Sequence, residues 1–260
     1  MKATRFWLQR MSLRNTQNMD SIINNYDRFV FVSPHLDDAI LSCAQLIVDL
    51  KRKGKDITII TIFTNAVPDT KTPQARDFIN KCGYKDPMRL FSDRIIEDKK
   101  VWKYIGARGI YLDFVDAAWR EDQNKKTIYK NSSIQMSGVI SPKDKKLVVK
   151  IESKLKKIIP KNKRVLVLGP CGIGGHADHV IVSKILEKLP YPKLFWEDFP
   201  YNTKHIKRLS FFIFNTKFHR LFSINNKSSE KERLIRFYKS QIKCLFPSEK
   251  IPPIKEEYYF

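Results

Sequence analysis

Two short apolar runs that each end in a polar, histidine-containing segment constrain this chain more than any other feature. Residues 29–32 (FVFV) and 165–168 (VLVL) have the length and apolar content of buried strands. Similar runs recur along the chain and alternate with stretches whose apolar residues follow a helical period. Because such alternation is typical of a mostly parallel sheet, we predict a Rossmann-like α/β fold with helices on both faces.

The predicted elements extend over most of the chain. Strands are expected near 28–33, 57–63, 109–114, 164–168 and 193–197, and helices near 38–53, 90–105, 143–159 and 178–189. Residues 65–88 and about 116–142 are predicted as long loops. Since long loops in a compact domain are often functional, we expect them to shape a substrate cleft.

The chain divides into three predicted regions. Residues 1–26 form a polar extension with an aromatic patch at 6–7, which we expect to pack on the domain rather than touch a membrane. Residues 27–200 form the α/β domain. Residues 201–260 form an aromatic-rich C-terminal appendage, with an amphipathic helix at 229–245, that we expect to pack against the domain. A cap over the cleft, a dimer contact or a lipid-facing patch stays open for this appendage.

The polar segments that follow the two apolar runs carry the chemistry. They are PHLDD at 34–38 and GHADH at 175–179, and each lies where a strand of an open α/β sheet would end. Together they offer two imidazoles and one carboxylate to a metal, with one carboxylate and one imidazole to spare, as a mononuclear zinc hydrolase requires. Because adjacent side chains diverge, we expect one of Asp37 and Asp38 to bind metal and the other to act as a base.

The two segments resemble the paired signature of the PIG-L/LmbE-like family of zinc-dependent N-acetylglucosamine deacetylases, over about residues 27–200. The resemblance implies removal of the acetyl group from an N-acetylated amino sugar, with Zn²⁺ or another divalent metal as cofactor. Residues 197–201 (EDFPY) resemble a frequent family segment and are expected to close the cleft wall. The implied metal ligands are His35, Asp38 and His179.

The same resemblance implies roles for the remaining motif residues. Asp37 would be the general base that takes a proton from water. His176 would polarise the amide carbonyl or stabilise the oxyanion, and could protonate the leaving amine. Asp178 would hold the His176 ring by a hydrogen bond. The chain departs from the family at Ala177, where proline is frequent, and at Gly174, where some members carry a tyrosine that contacts the reacting group.

Three further residues are predicted to contact the substrate. The family often has an arginine near Arg94, which we expect to hold sugar hydroxyls or a phosphate; a salt bridge to Glu97 on a helix surface is the alternative. Asp116 follows the third predicted strand, and together with Trp119 and Arg120 it could form a platform for the sugar.

The net charge of +22 admits several explanations. Lysine-rich composition accounts for it without function; a nucleic-acid partner, an anionic membrane surface or an acidic substrate would also fit. No signature of a nucleic-acid-binding module is present, so we expect no specific nucleic acid, while an anionic amino sugar and peripheral contact with an anionic membrane stay open. The four scattered cysteines form no C-x-x-C pair, and the N-terminus lacks the apolar core of a signal peptide, which together predict a cytoplasmic protein.

Two alternatives to a sugar deacetylase remain. One is a zinc hydrolase of the same fold that cleaves a different amide, for example in a thiol conjugate or an antibiotic. The other is a basic, non-catalytic surface-binding protein, which salt-sensitive binding to anionic lipid or nucleic acid without any metal would favour.

Overall fold

The computed structural model describes residues 19–68, 72–161, 164–204, 211, 215, 217–225, 229–253 and 255–260. The aromatic patch predicted at residues 6–7 therefore lies outside the described residues. The strands are β1 (Arg28–Ser33), β2 (Asp56–Asn65), β3 (Arg108–Val115), β4 (Val165–Pro170), β5 (Lys193–Trp196), β6 (Arg220–Ile224) and β7 (Glu256–Tyr259). The helices are α1 (Met19–Asn25), α2 (Asp38–Arg52), α3 (Pro73–Lys81), α4 (Pro87–Ile105), α5 (Ser132–Gln135), α6 (Lys145–Ile158), α7 (Ala177–Lys188), α8 (Ser229–Ile235) and α9 (Lys239–Leu245).

The seven strands form one mixed sheet in the order β3-β2-β1-β4-β5-β7-β6. The first five strands of this order are parallel, and β7 runs antiparallel to both β5 and β6. The α/β fold and the five predicted strands are thereby confirmed. No helix within the described ranges is both long enough and apolar enough to cross a membrane.

Both faces of the sheet are covered because successive strand residues point to opposite sides. On β1, Phe29 and Phe31 pack in the apolar cluster formed with α2, α4 and α8. Val30 and Val32 pack on the other face, in the cluster formed with α6 and α7. All four side chains are buried, which explains why this strand is uninterrupted by polar residues.

The C-terminal region contributes to the sheet, where the sequence predicted an appendage packed on the domain. Strand β7 lies between β5 and β6. The carboxylate of Glu256 accepts hydrogen bonds from the backbone N–H groups of Gln45 (2.8 Å) and Leu46 (3.1 Å), and it lies 3.2 Å from the Lys231 ammonium. The last strand is therefore tied to the interior of α2 by a buried carboxylate.

The single helix predicted over 229–245 is two helices, α8 and α9. Between them Tyr238 turns inward, and its hydroxyl donates a 2.6 Å hydrogen bond to the buried carboxylate of Asp98 on α4. The backbone N–H and the hydroxyl of Ser240 both donate to Glu97, the residue before Asp98 on α4. These contacts hold α9 against α4. The amphipathic pattern of residues 229–245 therefore continues from α8 into α9, although the helix is broken between them.

The prediction of a loop throughout 65–88 is wrong in its middle, where α3 lies. Thr72 caps this helix by accepting a hydrogen bond from the Ala75 N–H, and Pro73 is its first residue. Asp86 and Pro87 begin α4 in the same way, three residues before the predicted start. Proline favours the first turn of a helix as well as loops, so these prolines mark helix starts.

The chain order of the sheet places the two motifs side by side. Strands β1 and β4 are neighbours, but the chain continues from β1 to β2 on one side and from β4 to β5 on the other. Loops that leave in opposite directions open a crevice at the carboxyl ends of the strands, which is the usual ligand site of such sheets.

Candidate active site

The two motifs meet at a cavity of about 190 Å³ at this crevice. Residues 34–37 connect β1 to α2, and residues 171–176 connect β4 to α7. The rest of the cavity wall comes from α2, α3, α4, α5, α9 and the segments that follow β3 and β5. Helix α9 of the C-terminal region therefore helps to enclose the site, together with parts of both regions predicted as long loops.

His35, Asp38 and His179 form a compact set of metal-binding donors. Asp38 Oδ2 lies 3.0 Å from His35 Nδ1 and 3.3 Å from His179 Nε2. One donor atom from each residue lies within 4.8 Å of the others, and all three side chains are buried. Two imidazoles and one carboxylate with this spacing match a three-ligand catalytic metal site.

The hydrogen bonds of His179 test whether this set suits a cation. Its Nδ1 lies 2.6 Å from Asp198 Oδ1, whereas its buried Nε2 makes no hydrogen bond within the described part of the chain. In a metal-binding histidine, one ring nitrogen is typically hydrogen-bonded to a carboxylate while the other ring nitrogen binds the metal. The donor set therefore fits a divalent cation.

The electrostatics of the set point the same way. Burial alone would raise the pKa of Asp38, but the imidazoles of His179 and His35 hold it well below its ordinary value. Burial alone would lower the pKa of His179, but Asp38 and Asp198 raise it to about 9. Buried carboxylates thus favour positive charge at the imidazoles, and a divalent cation satisfies the same potential.

A second group of donors with suitable spacing consists of His35, His176 and Asp178. The Asp178 carboxylate, however, already accepts hydrogen bonds from the Ala117 N–H (2.9 Å) and from Arg120 (2.5 Å). Asp178 is thus neutralised by a guanidinium, whereas Asp38 faces, among the described residues, only the two imidazoles and the His35 backbone N–H (2.8 Å), so His35, Asp38 and His179 are the better candidate for a cation site.

Asp37 lies beside this set with its own partner. Its Oδ1 accepts a 3.0 Å hydrogen bond from Arg94, and both side chains are buried. Burial raises the pKa of Asp37, and the neighbouring Asp38 adds to this, although Arg94 opposes it. A raised carboxyl pKa suits a group that accepts a proton and later releases it.

His176 lies at the N-terminus of α7, where its Nδ1 accepts a 3.2 Å hydrogen bond from the Asp178 N–H. Its Nε2 lies 2.8 Å from the amide of Gln135 and lines the cavity. The atom that faces Nε2 is the Gln135 side-chain nitrogen; because Nδ1 accepts and the neutral ring therefore carries its proton on Nε2, the Gln135 amide must turn to present its oxygen as the acceptor. Burial and the neighbouring His35 hold the pKa of His176 well below its ordinary value, so the ring is neutral at pH 7.

The structure corrects the predicted contact between Asp178 and the ring of His176. That ring is bonded to the Asp178 backbone, while the carboxylate lies 3.1 Å from His35 Nε2. Arg120 is corrected too, since its guanidinium bridges Asp178 and Asp144 beneath the site and is 5% exposed. Arg120 thus supports the carboxylate that orients His35, and it does not line the cavity.

Arg94 and Asp116, in contrast, both line the cavity, as a substrate-contacting role requires. The alternative salt bridge between Arg94 and Glu97 does not form, because Arg94 bonds to Asp37 and Glu97 bonds to Ser240. Asp116 caps the N–H of Ala118 with one oxygen (2.8 Å), and the other lies 3.3 Å from His35 Nε2.

Sequence reasoning gave no role to several residues of the site. Asp198 lies in the quoted segment 197–201, but its bond to His179 depends on the pairing of β4 with β5. Gln135 lies in a predicted loop. Tyr201 packs its ring against His179, with ring centroids 5.4 Å apart, and it fills the space beside Gly174, where an added Cβ would approach Tyr201 Cβ to 2.8 Å. The cavity wall therefore contains a tyrosine, although position 174 does not supply it.

Comparison with protein families identifies the chain. The PIG-L family, described as GlcNAc-PI de-N-acetylase, matches residues 30–189. The chain belongs to the PIG-L family. Its matched region contains both motifs and ends within one residue of the end of α7.

Two relatives of the chain carry the name 2′-N-acetylparomamine deacetylase. The 2′-N-acetylparomamine deacetylase of Niallia circulans is 29% identical over 195 residues, which cover 68% of this chain and 68% of the relative. The enzyme of the same name from Streptomyces fradiae is 28% identical over 182 residues, covering 67% of this chain and 57% of its own length.

Solved structures share the fold at low identity. A deacetylase of the teicoplanin biosynthesis pathway superposes with a TM-score of 0.67 at 20% identity, covering 89% of this chain and 96% of that chain. The A40926 pseudoaglycone deacetylase gives a TM-score of 0.62 at 19% identity, covering 90% and 96%. The fold thus extends beyond the matched family region and includes most of the C-terminal part of this chain.

Proposed function

We propose that this protein is a cation-dependent hydrolase that removes the acetyl group from an N-acetylated amino sugar. The observation that carries the proposal is the buried set of His35, Asp38 and His179, two of which, His35 and Asp38, line the same cavity as Asp37. A metal site with an adjacent unligated carboxylate is what amide hydrolysis by activated water requires.

His35, Asp38 and His179 would hold the cation. When bound, a divalent cation such as Zn²⁺ would supply Lewis acidity, which lowers the pKa of water to about 7. A solved structure of the same fold is the zinc-inhibited form of a teicoplanin deacetylase. The donor set of two imidazoles and one carboxylate suits zinc, iron or cobalt, and each is a candidate for the working cation.

Asp37 and His176 would carry out the proton transfers. Asp37 takes a proton from the attacking water, and Arg94 fixes the carboxylate at 3.0 Å for this task. His176, neutral and protonated at Nε2, donates to the acetyl carbonyl oxygen as negative charge develops on it. When the C–N bond breaks, acetate forms and the departing amine takes a proton from His176 or from Asp37, leaving the sugar with a free amine.

The names of the two relatives support an aminoglycoside-like sugar as the substrate class. The high net charge of the chain does not extend to the cavity wall, where carboxylates outnumber cationic side chains. The wall carries Asp37, Asp38, Asp77 and Asp116 against Arg94 and Lys81. The lysine excess of the chain therefore gives no reason to require an anionic sugar.

We also propose that the enzyme is cytoplasmic, where its four free cysteines would stay reduced.

Acetate release tests the proposal. Cation-loaded protein is incubated with 2′-N-acetylparomamine, free N-acetylglucosamine, and nucleotide-linked and inositol-linked N-acetylglucosamine, with Asp37→Asn as the blank. We expect release from at least one compound and a loss of at least about 10²-fold in Asp37→Asn, with the variant retaining its bound cation. Absence of release from every compound would refute the proposal, and loss of the cation from Asp37→Asn would refute the role of Asp37 as base.

A further inference from the structure

Gln74 occupies a fixed position in the wall of the active-site cavity. It is the second residue of α3 and is 6% exposed. The helix start is anchored by Thr72, whose hydroxyl donates to the Ala118 carbonyl oxygen at 2.5 Å and accepts from the Ala75 N–H at 3.2 Å. Gln74 is therefore held beside Ala118 and Trp119, which line the same cavity.

The amide of Gln74 is unpaired at both ends. Neither Nε2 nor Oε1 has a hydrogen-bond partner, and within the described ranges it is the one side chain with two such buried atoms. The other glutamines of the cavity wall differ, since Gln135 contacts His176 and Gln241 donates to Ser240. Burial of an unpaired amide is unfavourable for folding, so this residue is not explained by the stability of the protein.

The surroundings of Gln74 indicate what would pair with it. Phe78 and Trp119 form an aromatic part of the cavity wall, with their rings perpendicular and centroids 5.9 Å apart. Asp37 and His35 lie on the wall of the same cavity. An uncharged amide offers one acceptor and two donor hydrogens, which matches a hydroxyl group, because a hydroxyl both donates and accepts.

We propose that Gln74 is a specificity-determining residue that pairs with a hydroxyl group of the amino-sugar substrate. This inference rests on the proposed deacetylase function. Both amide atoms are closed to water in the substrate-free chain, so the side chain turns toward the cavity when the sugar binds and then satisfies its donor and its acceptor. A sugar that lacks that hydroxyl gains neither hydrogen bond and is discriminated against. Gln74 takes no part in the proton transfers.

Gln74→Met tests the inference, because methionine has nearly the same volume and no hydrogen-bonding amide. Acetate release is measured with an N-acetyl amino sugar that the wild type hydrolyses and with its 3-, 4- and 6-deoxy analogues. We expect kcat/KM on the full sugar to fall about tenfold for each hydrogen bond lost. On the one analogue that lacks the recognised hydroxyl, wild type and variant are expected to be equal.

Thermal unfolding gives an independent readout. Because the amide has no partner in the folded chain, Gln74→Met is expected to unfold at the same temperature as wild type or higher. Gln45→Met is the matched control: Gln45 is a buried glutamine whose amide donates to Asp49 at 3.0 Å, so this change should lower Tm without altering the preference among analogues.

The outcomes separate the two proposals. A wild-type enzyme without activity on any N-acetyl amino sugar overturns the proposed function, and this inference with it. An active wild type with unchanged kcat/KM in Gln74→Met, or an equal loss on all four sugars, overturns the inference alone. A clear drop in Tm for Gln74→Met would also overturn it, because the amide would then have a partner in the protein.

Discussion

Asp198→Asn is the substitution that most directly probes how the cation site is held. Asp198 is 1% exposed. One carboxylate oxygen lies 2.6 Å from His179 Nδ1, and the other accepts the backbone N–H groups of Gly172 and Ile173 at 2.8 Å each. The same side chain therefore orients the ring and fixes the loop that follows β4.

Asparagine keeps only one oxygen, which can serve the loop or the ring but not both. If it serves the loop, an NH₂ group faces His179 Nδ1, and that nitrogen must then accept a hydrogen bond. The ring proton moves to Nε2, the atom that faces Asp38 at 3.3 Å, where it blocks a cation. If the oxygen serves the ring, the NH₂ group opposes two buried N–H donors.

Both arrangements weaken cation binding, by about 10–100-fold, which corresponds to about 1.4–2.7 kcal/mol. The loss of one charge-assisted hydrogen bond also lowers the free energy of unfolding of the cation-free protein by about 1.5–3 kcal/mol. A domain of ordinary stability, about 5–15 kcal/mol, remains folded after this loss.

The assay is competition for Zn²⁺ against a chelator of known affinity, together with urea unfolding of the cation-free protein. Asp56→Asn is the control, since Asp56 forms an exposed ion pair with Arg28 and should change neither value appreciably. Cation affinity within twofold of wild type in Asp198→Asn would refute the argument that Asp198 sets the tautomer of His179.

Three further predictions concern the buried charges that support the fold. Arg120→Met leaves the buried Asp178 and Asp144 carboxylates without their guanidinium partner. The free energy of unfolding in urea should fall by about 3–5 kcal/mol, and an unchanged midpoint would contradict this. Glu256→Ala removes the acceptor of two N–H groups and the partner of a buried lysine, so the free energy of unfolding is expected to fall by about 3–5 kcal/mol. A fall below about 1 kcal/mol would show that β7 is not tied to α2 in this way. Burial raises the pKa of Asp98, so its contribution to stability is present below about pH 3.9 and is lost as the pH rises through the raised pKa. Asp98→Asn should therefore raise Tm relative to wild type more at about pH 8 than at about pH 4, and a pH-independent difference would argue against the raised pKa.

The strands and the two motifs could be predicted from the sequence because their signals are local. A buried parallel strand such as residues 29–32 is a continuous apolar run whatever surrounds it. The side chains that end it lie at the sheet edge by topology alone. The two motifs could therefore be placed together without knowledge of the loops, and the family resemblance implied which of their side chains, His35, Asp38 and His179, would hold a metal.

The partners of these residues could not be predicted, because they depend on how distant segments cross. The contact of Asp178 with His35 rather than His176 follows from the loop that brings Arg120 and Ala117 beneath the site. The position of Gln74 in the first turn of α3 could not be predicted, because Pro73 is equally consistent with a loop and with a helix start.

The C-terminal residues show the same limit. Glu256 lies in the region predicted as an aromatic-rich appendage, and acidic residues are rarely buried. The reason for burial is a pair of backbone N–H groups in the middle of α2, some 210 residues earlier in the chain. The backbone N–H groups that donate to the Glu256 carboxylate are therefore apparent only in the folded structure.

The central claim is that a cation held by His35, Asp38 and His179 supports hydrolysis of an N-acetyl amino sugar. Acetate release from 2′-N-acetylparomamine tests it most directly, measured with chelator-treated protein before and after one equivalent of a divalent cation, and with His179→Ala in parallel. We expect release by the wild type only after the cation is restored, and none by His179→Ala at one equivalent. Release by the chelator-treated wild type, or full restoration in His179→Ala, would contradict it.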